Sequence, residues 1–269
     1  ELTLTRPIHL IALGKAALPM AEAAVALLHE RGIAPASGLL VVPEPAQSPH
    51  PRLVVAVGDH PQPGPGSLAA ADRLAQVVQA VQPGDEVWIL LSGGTTSLVG
   101  APLPGLRQVD LTELYRLLLG SGLDITAMNR IRKRFTRWAG GRLAAALHPA
   151  HVKNFTISDV IGDDLASIGS GPAVPDASTA AEVRTALGSA GLWERVPAGL
   201  RQHLEAVIQG TAPETPKADH PAFRTTETSL IASNRLALDA AAARARLLGV
   251  ESRVLDAALT GAAADVGRR

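Results

Sequence analysis

Cysteine is missing from all 269 positions, which excludes disulfides, iron–sulfur clusters and thiolate zinc sites together. Aromatic residues are nearly as scarce, at 3%, so a large aromatic interface is not expected, although Ala/Leu-rich stretches leave room for a homodimer. An excess of one charge is lacking too. The 25 basic side chains balance 25 acidic ones and are interspersed with them, so the chain shows no polyanion footprint and nucleic acid is not an expected partner. No apolar run approaches the length of a membrane span, so no membrane partner is expected either. There is also no charged start followed by an apolar middle that would mark a secretory signal. The default compartment is the cytoplasm.

What is present is ordinary for a folded α/β protein. Apolar residues make up 46% and charged residues 19%, enough to bury a full core at this length. Runs rich in Ile, Val and Leu alternate with longer Ala/Leu stretches of helical spacing, the pattern of a mainly parallel sheet flanked by helices. Strands are expected over Ile8–Leu13, Gly38–Val42, Val54–Ala56, Glu86–Leu91, Asn154–Val160, Thr228–Ala232 and Ser252–Leu255. Helices are expected over Ala16–Arg31, Ser67–Val81, Leu111–Gly120, Ile125–Leu147, Thr179–Ala190, Pro197–Gln209 and Arg235–Leu248. The segments from Pro43 to Pro51 and from Gly210 to Phe223 carry turn residues without periodicity and read as loops. The chain opens on Glu1 rather than Met and stops within what reads as a helix after a strand, so both ends read as cut.

Ligands of open α/β sheets bind at the carboxyl ends of the strands, and four such positions carry distinctive residues. Gly14-Lys15-Ala16-Ala17 joins the first strand to the first helix, so Lys15 would project from a helix N-terminus that already favours an anion. A solvated lysine in a tight turn is the competing reading. Ser92-Gly93-Gly94-Thr95-Thr96-Ser97 follows an apolar strand; its two glycines allow close backbone approach and its hydroxyls offer donors to phosphate oxygens. It is neither a Walker loop nor a dinucleotide fingerprint, since neither spacing occurs in the right place. Asp159, Asp163 and Asp164 lie within six residues at another strand end, ahead of Gly169-Ser170-Gly171-Pro172. Three crowded carboxylates favour a Mg²⁺ site or a carboxylate base, with helix capping as the alternative for Asp163 or Asp164.

The fourth is the basic run Asn129-Arg130-Ile131-Arg132-Lys133-Arg134, with Gly140-Gly141-Arg142 after it. On one continuous helix only Arg132 or Lys133 would point into a cleft, and the other basic side chains would be solvated. Two weaker sites are His60, within Asp59-His60-Pro61, and Asn234, after a strand and before an Ala-rich helix. His60 also reads as a turn residue and Asn234 as an N-cap.

Taken in order, Gly14-Lys15-Ala16-Ala17, Gly58-Asp59-His60-Pro61, Leu91-Ser92-Gly93-Gly94, Asn129 with Arg132-Lys133 and Gly140-Gly141-Arg142, Ser158 to Asp164, Ser170-Gly171-Pro172 and Ser233-Asn234 resemble the glycerate 2-kinases that carry a MOFRL domain. The resemblance spans nearly the whole chain. It implies a Rossmann-like, doubly wound sheet over residues 1–255, with residues 256–269 starting the linker to, or first helix of, a smaller C-terminal α/β domain. It also implies phosphorylation of the 2-hydroxyl of D-glycerate by ATP with Mg²⁺. Lys15 and Asp159 would then be catalytic, and Ser92, Gly93, Gly94, Thr95, Thr96, Gly171 and Asn234 would hold nucleotide. His60, Arg132 and Lys133 would hold substrate, and Asp159, Asp163 and Asp164 the metal. Ala139 and Arg134 depart from the lysine and histidine common in the family. The competing functions are a hydroxypyruvate reductase, against which the missing dinucleotide fingerprint argues, and a non-catalytic ligand binder on the same fold.

Overall fold

In the computed structural model, which describes residues 6–268, the chain begins β1 (Ile8–Leu13), α1 (Ala17–His29), β2 (Ser37–Val42), β3 (Leu53–Val57), α2 (Pro65–Ala80) and β4 (Glu86–Leu91). Four helices follow, α3 (Thr95–Leu98), α4 (Gln108–Leu119), α5 (Ile125–Arg132) and α6 (Arg142–Leu147), and then β5 (His151–Ile157). After these come α7 (Ala180–Ser189), α8 (Ala198–Ile208), β6 (Thr226–Ala232), α9 (Asn234–Leu247) and the single turn α10 (Ala263–Val266). The expected domain ranges also take in residues 1–5 and 269, which lie outside the described residues. No described helix is long and apolar enough to cross a membrane.

The strands form one sheet in the order β3-β2-β1-β4-β5-β6, and every neighbouring pair is parallel. The sequence makes β1 and β4 central: all six residues of each are buried, as continuous apolar runs require when both faces of a strand are covered. Of the outermost strands, β6 exposes alternate residues and β3 exposes Val54 and Val57. On one face Ile8, Leu10 and Ala12 pack with Ala17, Met20 and Leu28 of α1. On the other, Ile11, Leu13, Ile89 and Leu91 pack with Ala70 and Leu74 of α2 and Leu143 of α6. A separate apolar cluster joins α4, α5, α7 and α8 through Leu114, Leu118, Ile131, Phe135, Val183 and Leu200. Strand order reverses between β1 and β4, so their carboxyl ends diverge around a crevice.

Three expectations are corrected. The single helix expected over Ile125–Leu147 is two: α5 ends at Arg132 and α6 starts at Arg142, and between them Gly140 and Gly141 take φ of +59° and +81°, a backbone that a right-handed helix cannot run through and that suits glycine. Arg142 bridges the break: its guanidinium donates to the carbonyls of Lys133 (2.6 Å), Arg134, Thr136 and Ala139, which have left the helical ladder. The strand expected over Asn154–Val160 is His151–Ile157. A register irregularity at Thr156/Ile157 and the Val160 N–H donating to Ser158 Oγ at 3.2 Å turn the chain out of the sheet before Asp159. Ser252–Leu255 is not a strand; it runs alongside α9, with no ladder partner among the described residues.

Candidate active site

Three strand ends bring Lys15, Gly93 and Asp159 to the crevice between β1 and β4. The Lys15 N–H donates to the Gly93 carbonyl at 2.9 Å, which locks the turn after β1 to the loop after β4. Ser92 Oγ accepts the Ala16 N–H at 3.0 Å. Gly93 has no room for a side chain, since a Cβ there would stand 2.8 Å from Asp159 Oδ1 and nearer still to the rest of that carboxylate. Gly94, at φ +90°, is less confined but still tight: a Cβ would lie 3.2 Å from Lys15 Cγ and 3.4 Å from His60 Cδ2. The fourth member, His60, arrives from β3 at the sheet edge. Its loop is fixed by Asp59, whose Oδ2 accepts the Ser67 N–H at 3.0 Å at the start of α2.

Electrostatics at this point favour an anion. Lys15 is exposed and makes no ion pair or side-chain hydrogen bond among the described residues. The backbone N–H groups of Gly93, Gly94, Thr95 and Thr96 also find no acceptor among the described residues. A row of amides without a protein acceptor beside a lysine is the kind of concavity that takes a phosphate group. His60 is held below its ordinary pKa of 6.5, by burial first and then by the charge of Lys15. In Lys15→Ala the imidazole should therefore titrate higher than in the unmodified protein, yet still below 6.5, because burial remains. NMR of the imidazole protons reads this directly, and an unchanged titration would show that Lys15 is out of electrostatic reach.

Asp159 is exposed and stands against the same loop. A carboxylate there repels phosphate unless a cation lies between them. The residues thus fit a magnesium ion held by one carboxylate and by phosphate oxygens. They do not fit the expected three-carboxylate ligand set. Among the described residues no three His, Asp or Glu side chains are grouped as ligands. Asp164 is used as a local cap, its Oδ1 accepting the Ala166 N–H at 3.1 Å and its Oδ2 the Ser167 hydroxyl at 2.6 Å. Asp163 sits in a left-handed turn at φ +55°.

Several other expected ligands are occupied elsewhere. Of the hydroxyls offered to phosphate, Ser92 holds Ala16, Thr95 Oγ1 donates to the Ser92 carbonyl at 2.9 Å, and Ser97 Oγ donates to the Gly94 carbonyl at 3.0 Å. Thr96 is directed to another side chain, the hydroxyl of Ser170. Gly171 is buried and accepts the Gly141 N–H at 2.8 Å, so it packs the neighbouring turn instead of lining the crevice. Asn234 is not the cap of α9; Ser233 is, accepting the Leu236 N–H at 3.3 Å. The Asn234 amide donates to the Ala257 carbonyl at 2.8 Å, beyond the edge strand β6.

The basic run differs most from expectation. Arg132, Lys133 and Arg134 are all buried, and of the run only Arg130 is exposed. Arg132 stacks on Tyr115 at 4.4 Å and turns to Asn129 Oδ1. Lys133 pairs with Asp176 Oδ1 at 3.2 Å while lining a polar cavity of about 300 Å³ with Asn129, Arg130, Ser167 and Ser178. Arg134 forms ion pairs with Glu214 and, at 3.8 Å, with Asp176. Asp176, Glu214 and Lys217 were not singled out from sequence. The usable signal was a carboxylate at Asp176 shortly after a Gly-Pro turn, but its partners lie about 40 residues away on either side.

Comparison with known proteins agrees with this picture. A family described as "Domain of unknown function (DUF4147)" matches residues 1–205. The glycerate 2-kinase of Pyrococcus horikoshii is 33% identical over 267 residues, covering 99% of this chain and 59% of that protein. An Agrobacterium vitis protein, provisionally named a hydroxypyruvate reductase, is 36% identical over 255 residues, or 95% of this chain and 55% of its own length. The crystal structure of a Thermotoga maritima glycerate kinase superposes with a TM-score of 0.81 at 30% identity, covering 94% of this chain and 57% of that one. The chain thus spans between half and three fifths of the relatives it matches.

Proposed function

Because the chain belongs to the family described as Domain of unknown function DUF4147, we propose that it forms the nucleotide-phosphate site of an ATP-dependent glycerate 2-kinase, of the kind carrying a MOFRL domain. The observation that carries this reading is Lys15. It stands at the strand-order reversal beside four amides with no protein acceptor among the described residues. Phosphoryl transfer requires mainly that two reactants be placed in line and that charge moving onto phosphate oxygens be held. The amides of Gly93 to Thr96 hold nucleotide phosphate, and the Lys15 ammonium faces the oxygens on which charge builds. Asp159 is the residue that would hold magnesium, which when bound would supply positive charge against the phosphate. Asp159 Oδ1 or Oδ2 is otherwise the nearest carboxylate to take the proton of the attacking 2-hydroxyl. The glycerate carboxylate finds a cationic partner at Lys15, with the His60 imidazole beside it as a neutral hydrogen-bond donor, or cationic partners in the cavity lined by Arg130 and Lys133.

The Agrobacterium relative's name favours a second reading, reduction of hydroxypyruvate. A nicotinamide dinucleotide needs glycines at the first βα turn so that its pyrophosphate can approach the backbone. Here that turn presents Lys15. With the whole protein, glycerate and ATP should release ADP in a coupled assay, whereas hydroxypyruvate should leave NADH absorbance steady. NADH oxidation without ADP release would overturn the kinase reading, and silence in both assays would favour a ligand binder.

A further inference from the structure

Ser170 sits in a left-handed backbone, at φ +63°, between Gly169 at +56° and Gly171 at +59°. Its neighbours have the residue type that this conformation suits, and it does not. It is also completely buried. A strained, buried non-glycine residue persists where its side chain is needed, and this one makes a single side-chain hydrogen bond among the described residues: its hydroxyl lies 2.7 Å from Thr96 Oγ1. The backbone of Ser170 is tied just as firmly. Its carbonyl accepts the Gly140 N–H at 2.9 Å and its own N–H donates to the Ser167 carbonyl at 3.2 Å. Gly169 lies flat on the loop after β4, since a Cβ there would come within 3.0 Å of Thr95 Cβ and of Leu91 Cδ1. Within that loop Thr95 and Ser97 are held by local backbone groups, and Ser92 is held by backbone groups of the turn after β1. Thr96 is the hydroxyl of the loop that is held by another side chain, that of Ser170.

We infer that Ser170 is a positioning residue that clasps Thr96 and so sets the geometry of the Gly93–Thr96 amides toward phosphate; this rests on the kinase reading above. Ser170 touches no reacting atom and acts only through Thr96. Ser170→Gly removes the hydroxyl and the backbone strain together, so it separates positioning from stability. In the whole protein, Ser170→Gly should keep or raise Tm while KM for ATP rises about fivefold, the factor that one neutral hydrogen bond commands. Thr96→Val should raise KM for ATP at least as much, and Ser170→Gly combined with Thr96→Val should be no worse than Thr96→Val alone. Additive losses, an unchanged KM in Ser170→Gly, or a fall in its Tm would overturn the clasp. Hydrogen exchange gives a readout independent of turnover: the hydrogen-bonded amides of residues 97–99 should exchange faster in Ser170→Gly while those of β4 stay protected. If the unmodified protein turns over no ATP, the kinase reading falls. The exchange comparison then decides the clasp alone, and equal protection in both forms would sink it.

Discussion

Lys15→Ala should lower turnover of glycerate and ATP by about two to three orders of magnitude, the usual cost of removing a preorganised group that faces developing charge. The fold should scarcely register the change. Lys15 is exposed, and the bonds that close its turn belong to the backbone: Lys15 N–H to Gly93 O, and Ala16 N–H to Ser92 Oγ. Truncating such a side chain shifts stability by within about 0.5 kcal/mol, so the melting curve should be superimposable on that of the unmodified protein. An arginine at the position keeps the charge but not the point-like ammonium, and it must fit beside Gly94 and His60. Lys15→Arg should accordingly retain only part of the activity. Steady-state kinetics on the three proteins, with Tm measured in parallel, decides the matter. Undiminished kcat/KM in Lys15→Ala would remove the central residue of the mechanism.

Asp176→Asn should produce the largest loss of stability, about 3 to 5 kcal/mol, the cost of breaking a buried ion pair and leaving its cations uncompensated. Asp176 is 1% exposed. It accepts bonds from the Ser178 N–H, the Ser178 hydroxyl and the Thr215 hydroxyl at 2.8 to 3.1 Å, and it faces Lys133 and Arg134. Burial by itself would raise the Asp176 carboxyl, but Lys133, the Ser178 hydroxyl and Arg134 together hold it below its ordinary 3.8. A carboxylate with a depressed folded pKa contributes stability that is complete above the unfolded value and lost as pH falls through the folded one. The gap between the unmodified protein and Asp176→Asn should therefore be full at neutral pH and shrink below about pH 3.8. Calorimetry at pH 7 should find Tm lowered by on the order of 10 °C. An unchanged Tm would show that the cluster is not the clamp that fixes the 133–141 segment.

Glu214 belongs to the same clamp. Burial pushes its carboxyl up, while Arg134 and the N–H groups of Thr215 and Ala180 bring it below the usual range. The cluster joins the end of α5, the start of α7 and the loop before β6. Arg142, whose pKa burial and the nearby Arg134 charge push down to about 10, gathers the four carbonyls between them. Basic residues that read as a solvated helix face are thus the interior fastening of the segment leading to Gly140 and Gly141. From there the Gly140 N–H reaches Ser170 and, through it, the loop after β4.

Much of the site was legible because it depends on local pattern. Gly14-Lys15, Ser92-Gly93-Gly94 and Asp159 each follow a recognisable strand, and a parallel sheet places all such ends on one edge. The hydroxyl loop was legible in outline only. Its glycines were informative because they mark close approach, as the Asp159 carboxylate against Gly93 demonstrates. Its hydroxyls misled because composition does not reveal which side of a turn a side chain takes.

The sequence alone determined six of the seven expected strands, most of the helices and the order in which loops leave them, since burial on both faces writes itself as apolar runs and periodicity within a few residues. Tertiary structure decided which loops meet and which charges are buried. Arg134 and Glu214 are 80 positions apart and Lys15 and Gly93 78, so no window of local sequence contains either pair. Their meeting follows from strand order and from the end of α5 at Arg132, after which the buried cations are given carboxylate and carbonyl partners that offset the solvation they lose.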